Sequence, residues 1–173
     1  MNITKWIIAA GLMLCITSGA QAKDCRITDS VTASVKSLAD NKNMGGHVSI
    51  HIVGQPTEVG KSRFATWKQF TDLFSKWKTV NDGKKPAPAD CGGAGGSKSE
   101  CVPIDRLGGW QGTKASICTA VDANGACTAS QNITVLAVNF GYYNSSQKVK
   151  DGGTAGKWIM NTAYPSANAD CSG

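Results

Sequence analysis

Phe64, Trp67, Phe70, Leu73, Phe74, Trp77 and Val80 recur mostly at steps of three and four, with Lys68, Thr71, Asp72, Ser75 and Lys78 on the remaining faces. That is the period of an amphipathic helix, and an aromatic stripe at this spacing reads as core. Upstream, Val31, Val35 and Leu38 predict a shorter amphipathic helix over 27–40, capped by Asp29 or Ser30. Beyond the aromatic helix, "NDGKKPAPADCGGAGGSKSEC" has no large apolar residue and predicts a loop. The pattern then turns β-rich. Residues 114–121, 132–143 and 157–164 predict short strands separated by the turns "DANG" at 122–125 and "KDGGTAG" at 150–156. N-terminal helices followed by an antiparallel sheet predict an α+β domain.

The first 22 residues, "MNITKWIIAAGLMLCITSGAQA", change the picture of where this domain resides. One early lysine, an apolar run over 6–16 and the small-residue pattern Ala20-Gln21-Ala22 predict a signal peptide cleaved after Ala22. The run is too short to span a bilayer, and the bulky Leu14 before Cys15 argues against lipoprotein processing. Cleavage leaves a single domain over 23–173, long enough for its own core and without a membrane span, expected to act as a secreted or periplasmic monomer. The whole chain carries a net charge of +6, a modest basic excess that suits a polyanionic partner.

Behind the signal, Cys25, Cys91, Cys101, Cys118, Cys127 and Cys171 form an even set, which predicts three disulfides formed in an oxidising compartment. Proximity along the chain favours Cys91 with Cys101 and Cys118 with Cys127, leaving Cys25 for Cys171. No CxxC spacing occurs, so a zinc site is not expected, and nothing in the sequence calls for a cofactor.

The candidate chemistry lies in "GGHVSIHIVG", residues 45–54, which holds both histidines of the chain, His47 and His51. Four residues apart, their side chains share a side on either a helix or a strand. Three readings compete: histidines satisfied by local hydrogen bonds, a metal pair that lacks a third ligand, and acid–base catalysis, which imidazole suits because it titrates near neutrality. At the other end, "GKWIMNTAYPS" at 156–166 predicts a strand stopped by proline. Period two puts Trp158, Met160, Thr162 and Tyr164 on one face, with the hydroxyls of Thr162 and Tyr164 side by side.

Taken together, "GGHVSIHIVG", the helix "KSRFATWKQFTDLF" and the closing "NTAYP" resemble the ribonuclease A-like toxin domains of bacterial contact-dependent inhibition systems. The blocks follow in order over most of the chain behind the signal. The resemblance implies a kidney-shaped α+β fold and a metal-independent endoribonuclease, secreted as an antibacterial or virulence toxin. RNA would be its substrate and an immunity protein its cognate inhibitor. It implies catalytic roles for His51, Thr162 and Tyr164, with His47 as a second proton carrier or an orienting residue. The family's cationic residue follows the histidine block. Here Lys61 lies ten residues after His51 and Arg63 twelve, so neither falls on the usual position; Arg63 ranks first for that role and Lys61 for substrate binding. One extra residue separates His51 from Val-Gly, and the six cysteines are not part of the pattern. The alternatives are a non-enzymatic binding module presenting "WQG" and "FGYYN", or a catalytically degenerate member of the same fold.

Overall fold

The computed structural model describes residues 22–93, 96–144 and 156–172. The expected signal peptide, Ala22 excepted, and the turn at 150–156, Gly156 excepted, lie outside them. The domain is α+β, with three α-helices and two antiparallel three-stranded sheets rather than one.

The helices are α1 (Asp29–Ser34), α2 (Leu38–Asn43) and α3 (Trp67–Thr79). The single helix expected over 27–40 is thus two short ones. Ser37 opens the second, its side chain accepting from the Asp40 amide. α3 matches its pattern. Thr66 caps it by accepting from Gln69 N, the Gln69 side chain accepts from Ala65 N, and Lys76 and Lys78 sit in the last turn, where the helix dipole favours cations. Its stripe Phe70, Leu73, Phe74 and Trp77 is buried, with Phe74 5.4 Å from Phe140.

The strands are β1 (Ser62–Arg63), β2 (Ser97–Pro103), β3 (Ala115–Val121), β4 (Cys127–Ile133), β5 (Ala137–Asn144) and β6 (Trp158–Ser166). They form the sheets β1-β3-β4 and β2-β5-β6. The strand expected over 132–143 is divided between β4 and β5, one in each sheet. β2 occupies the end of the expected loop. It escaped the hydrophobic pattern because Glu100 takes an inward position, between Trp77 Nε1 (2.5 Å), Tyr142 Oη (2.7 Å) and the backbone N of Ala89.

Two departures in β6 shape the site. The strand runs through Pro165, which pairs with Val138, because β6 is an edge strand where a missing N–H breaks no ladder. In addition, Gly141 pairs with Thr162 and its neighbour Tyr142 with Met160, so Asn161 is an extra residue, a β-bulge. The bulge reverses the alternation. Trp158 and Met160 join the core, whereas Thr162 and Tyr164 turn to the opposite face, so the four do not share a side.

The disulfides are Cys25–Cys91, Cys101–Cys171 and Cys118–Cys127. Only the third follows proximity in sequence. Backbone pairing of Cys25 N with Ala89 O and of Cys91 N with Lys23 O aligns the first pair. In β2, Glu100 and Val102 point into the core, so Cys101 points out, to the segment that follows β6. Three disulfides fit an oxidising compartment. Among the described residues, no helix is long and apolar enough to cross a membrane.

Candidate active site

The free edge of β6 is closed by side chains and backbone from the N-terminal third. Ser30 Oγ donates to Trp158 O (2.6 Å), Met160 N donates to Ser34 Oγ (2.9 Å), Asn41 Nδ2 donates to Met160 O (2.8 Å) and His47 N donates to Asn161 O. These contacts satisfy groups an edge strand would leave open and lay the histidine segment against the bulge. Asn41 is fully buried, and its Oδ1 also accepts from Val48 N (3.2 Å). Gly46 packs on the Asn41 amide so tightly that a Cβ would come 2.6 Å from its Cγ. Asn41 and Gly46 thus position the site, a role that periodicity does not reveal.

After Gly46 the chain turns through a 3₁₀ segment, Val48–His51, and returns along β1. His47 is exposed and His51 buried, yet both line one cleft of about 450 Å³ between this turn, β1 and β6. Lys61, Thr162 and Tyr164 line it too, so five of the six residues singled out in the sequence come together. Asn161, Ser166 at the end of β6, and Asn168 and Ser172 in the segment after it complete the wall. Thr162 can lie there because its partner is Gly141, where a Cβ would come 2.7 Å from the Thr162 methyl.

Arg63 is the sixth, and it does not line the cleft. Ser62 and its register partner Ile117 do, so Arg63 and its partner Ser116 take the reverse face of the sheet. There the guanidinium is buried, with Nη2 3.3 Å from Ser116 Oγ and Nε without a partner among the described residues, and burial lowers its pKa. The cation that reaches the cleft is Lys61, half-buried and 3.5 Å from Glu58.

His51 is the most constrained group of the site. Its Nδ1 lies 2.8 Å from the carbonyl oxygen of Ser62, and a carbonyl only accepts, so Nδ1 carries the proton and Nε2 keeps its lone pair. Burial depresses its pKa from 6.5 to about 4; the Ser62 bond opposes that shift, and the charge of Lys61 adds to it. The ring stacks obliquely on Tyr164, with centroids 5.2 Å apart. Tyr164 donates its hydroxyl proton to Cys171 O (3.2 Å), and burial raises its pKa. At neutral pH the cleft therefore offers an uncharged imidazole base, a second imidazole, one ammonium group and the aliphatic hydroxyls of Ser62, Thr162, Ser166 and Ser172. Among the described residues, no three His, Cys, Asp or Glu side chains gather as a metal-binding group. No family model, curated protein or solved structure matches this chain.

Proposed function

We propose that the chain is a metal-independent endoribonuclease, exported by its leader and acting as an antibacterial or virulence toxin on a ribonuclease A-like, kidney-shaped domain. The observation that carries this reading is His51: a neutral base, its tautomer set by Ser62, in one cleft with Lys61, Thr162 and Tyr164. RNA cleavage without a metal needs a base for the 2′-hydroxyl, an acid for the leaving oxygen and donors around the phosphorane. His51 Nε2 takes the 2′-hydroxyl proton, O2′ attacks phosphorus and the bond from phosphorus to O5′ breaks. His47, on the same cleft, returns a proton to O5′. The products are a 2′,3′-cyclic phosphate and a free 5′-hydroxyl. Lys61 and Thr162 meet the charge that builds on the equatorial oxygens, and Tyr164 holds the plane of the base. DNA lacks the attacking group and is inert.

The test is incubation of the oxidised protein with RNA in EDTA, beside His51→Ala. Cleavage by the parent that ends in 2′,3′-cyclic phosphate, and that falls at least about a hundredfold in the variant, is expected. Intact RNA at high protein concentration, or cleavage that chelation abolishes, overturns the proposal.

A further inference from the structure

The cleft has one wall that the chemistry above does not use. After β6 the chain folds back on itself through side chains. Asn168 N donates to Ser166 Oγ (3.0 Å), Asn168 Nδ2 donates to Ser172 O, and Ser172 N and Oγ both donate to Asp170 Oδ1 (3.0 and 2.6 Å). Tyr164 Oη and the Cys101–Cys171 disulfide pin this fold to the two strands beside it. Ser166, Asn168 and Ser172 line the cleft.

These bonds determine what the wall can still offer. Asn168 uses one N–H of its amide nitrogen on Ser172 O, which sets its orientation and leaves Oδ1 an acceptor with no partner among the described residues. Ser172 Oγ has given its proton to Asp170, so it can only accept. Ser166 Oγ accepts from Asn168 N, and its own proton has no acceptor among the described residues, so it can donate. The wall thus presents two acceptors, Asn168 Oδ1 and Ser172 Oγ, together with donors from the Ser166 hydroxyl and the second N–H of Asn168, and no charged side chain among the three. Of the four bases, only guanine carries two adjacent donors, N1–H and the N2 amino group, beside an acceptor, O6, on its Watson–Crick edge. Single-stranded RNA exposes that edge to a protein.

We propose that Ser166, Asn168 and Ser172 form a base-binding subsite selective for guanosine, next to the reacting phosphate. The inference rests on the ribonuclease reading for its substrate class and deepens it by naming the nucleoside.

The test is calorimetric titration of the oxidised protein with each of the four ribonucleoside 3′-monophosphates. The phosphate is common to all four, so the attraction of Lys61 cancels from the comparison. Guanosine 3′-monophosphate is expected to bind about tenfold tighter than the others, as loss or gain of one hydrogen bond of this kind implies. Asn168→Ala removes the preference and Ser172→Ala weakens it; both positions are exposed, so neither change disturbs the core. Equal affinities, preference for another base, or a guanosine preference that survives in both variants overturns the proposal. RNA cleavage measured in parallel keeps the two readings apart. Base-indifferent cleavage leaves the ribonuclease standing without this subsite, and guanosine-selective binding with RNA left intact leaves the subsite standing without the ribonuclease.

Discussion

His51 is 6 % exposed, and its environment favours the neutral imidazole, with two consequences that can be measured separately. The first concerns stability. Above pH 6.5 neither the folded nor the unfolded chain protonates this ring. Between 6.5 and about 4 the unfolded chain takes a proton that the folded one refuses, so stability falls as the pH falls through that window and levels off below it. The shift corresponds to about 3 kcal/mol. Denaturant unfolding at pH 7 and pH 4 is expected to show a loss of this order that His51→Asn lacks; equal losses in parent and variant would refute the assignment. The second concerns catalysis, since a base of this kind stays competent in mild acid. The acid limb of kcat/KM is expected near pH 4 instead of near 6.5. The sequence displayed the two histidines, but not that one is sealed against Ser62 and the other exposed, because burial depends on what β6 brings from over a hundred residues away. Arg63 makes the same point about strand parity. It directly follows Ser62, and the alternation of β1 puts Ser62 on the cleft side of the sheet and Arg63 on the other, while Lys61 reaches the cleft from just before the strand.

Among the elements, those with a long one-sided apolar pattern were legible. The aromatic stripe located α3, and alternating β-formers located β3 and most of β6. Hidden were the features that depend on a partner element. The bulge at Asn161 has no sequence signature, yet it turns Thr162 and Tyr164 away from the face of Met160 and into the cleft. β2 was masked by Glu100, whose inward carboxylate is acceptable only because Trp77, Tyr142 and Ala89 donate to it. The junction of α2, the histidine turn and β6 is the most sensitive of these arrangements. Asn41→Ala leaves Met160 O, Ser34 O and Val48 N without the partner they have now, and is expected to cost about 3 kcal/mol. Gly46→Ala injures the same joint by driving a Cβ into the Asn41 amide. The two losses should therefore not add. In a double-mutant cycle, Gly46→Ala placed on Asn41→Ala is expected to cost much less than it does alone. Strict additivity would mean that the steric pressure falls elsewhere.

At the scale of the whole molecule, the disulfides divide the chain at one point. Cys25–Cys91 closes a loop over the first part, Cys101–Cys171 closes another over the second, and Cys118–Cys127 lies inside the second. His47, His51 and Lys61 belong to the first loop; Thr162, Tyr164 and the wall after β6 belong to the other. The cleft is therefore built across a junction that no disulfide spans. It is held by pairing of β1 with β3, by the Asn41 clamp and by the burial of Trp77 against Glu100. Proximity along the chain suggested the reverse, a short Cys91–Cys101 staple and a Cys25–Cys171 tie between the ends. Short loops close at lower entropic cost, but strand pairing had already taken each cysteine elsewhere. A protease site introduced at positions 93–96, between Cys91 and Cys101, distinguishes the two arrangements. After cutting, the oxidised protein is expected to separate into two fragments in denaturant without reductant, whereas the proximity pairing would keep them joined. In native buffer the cut protein is expected to remain one particle with the cleft assembled, because the contacts across the junction include buried hydrogen bonds and core aromatics that the cut does not touch. Fragments that part in native buffer would mean that the single peptide link between the loops, and not the packing, holds the site together.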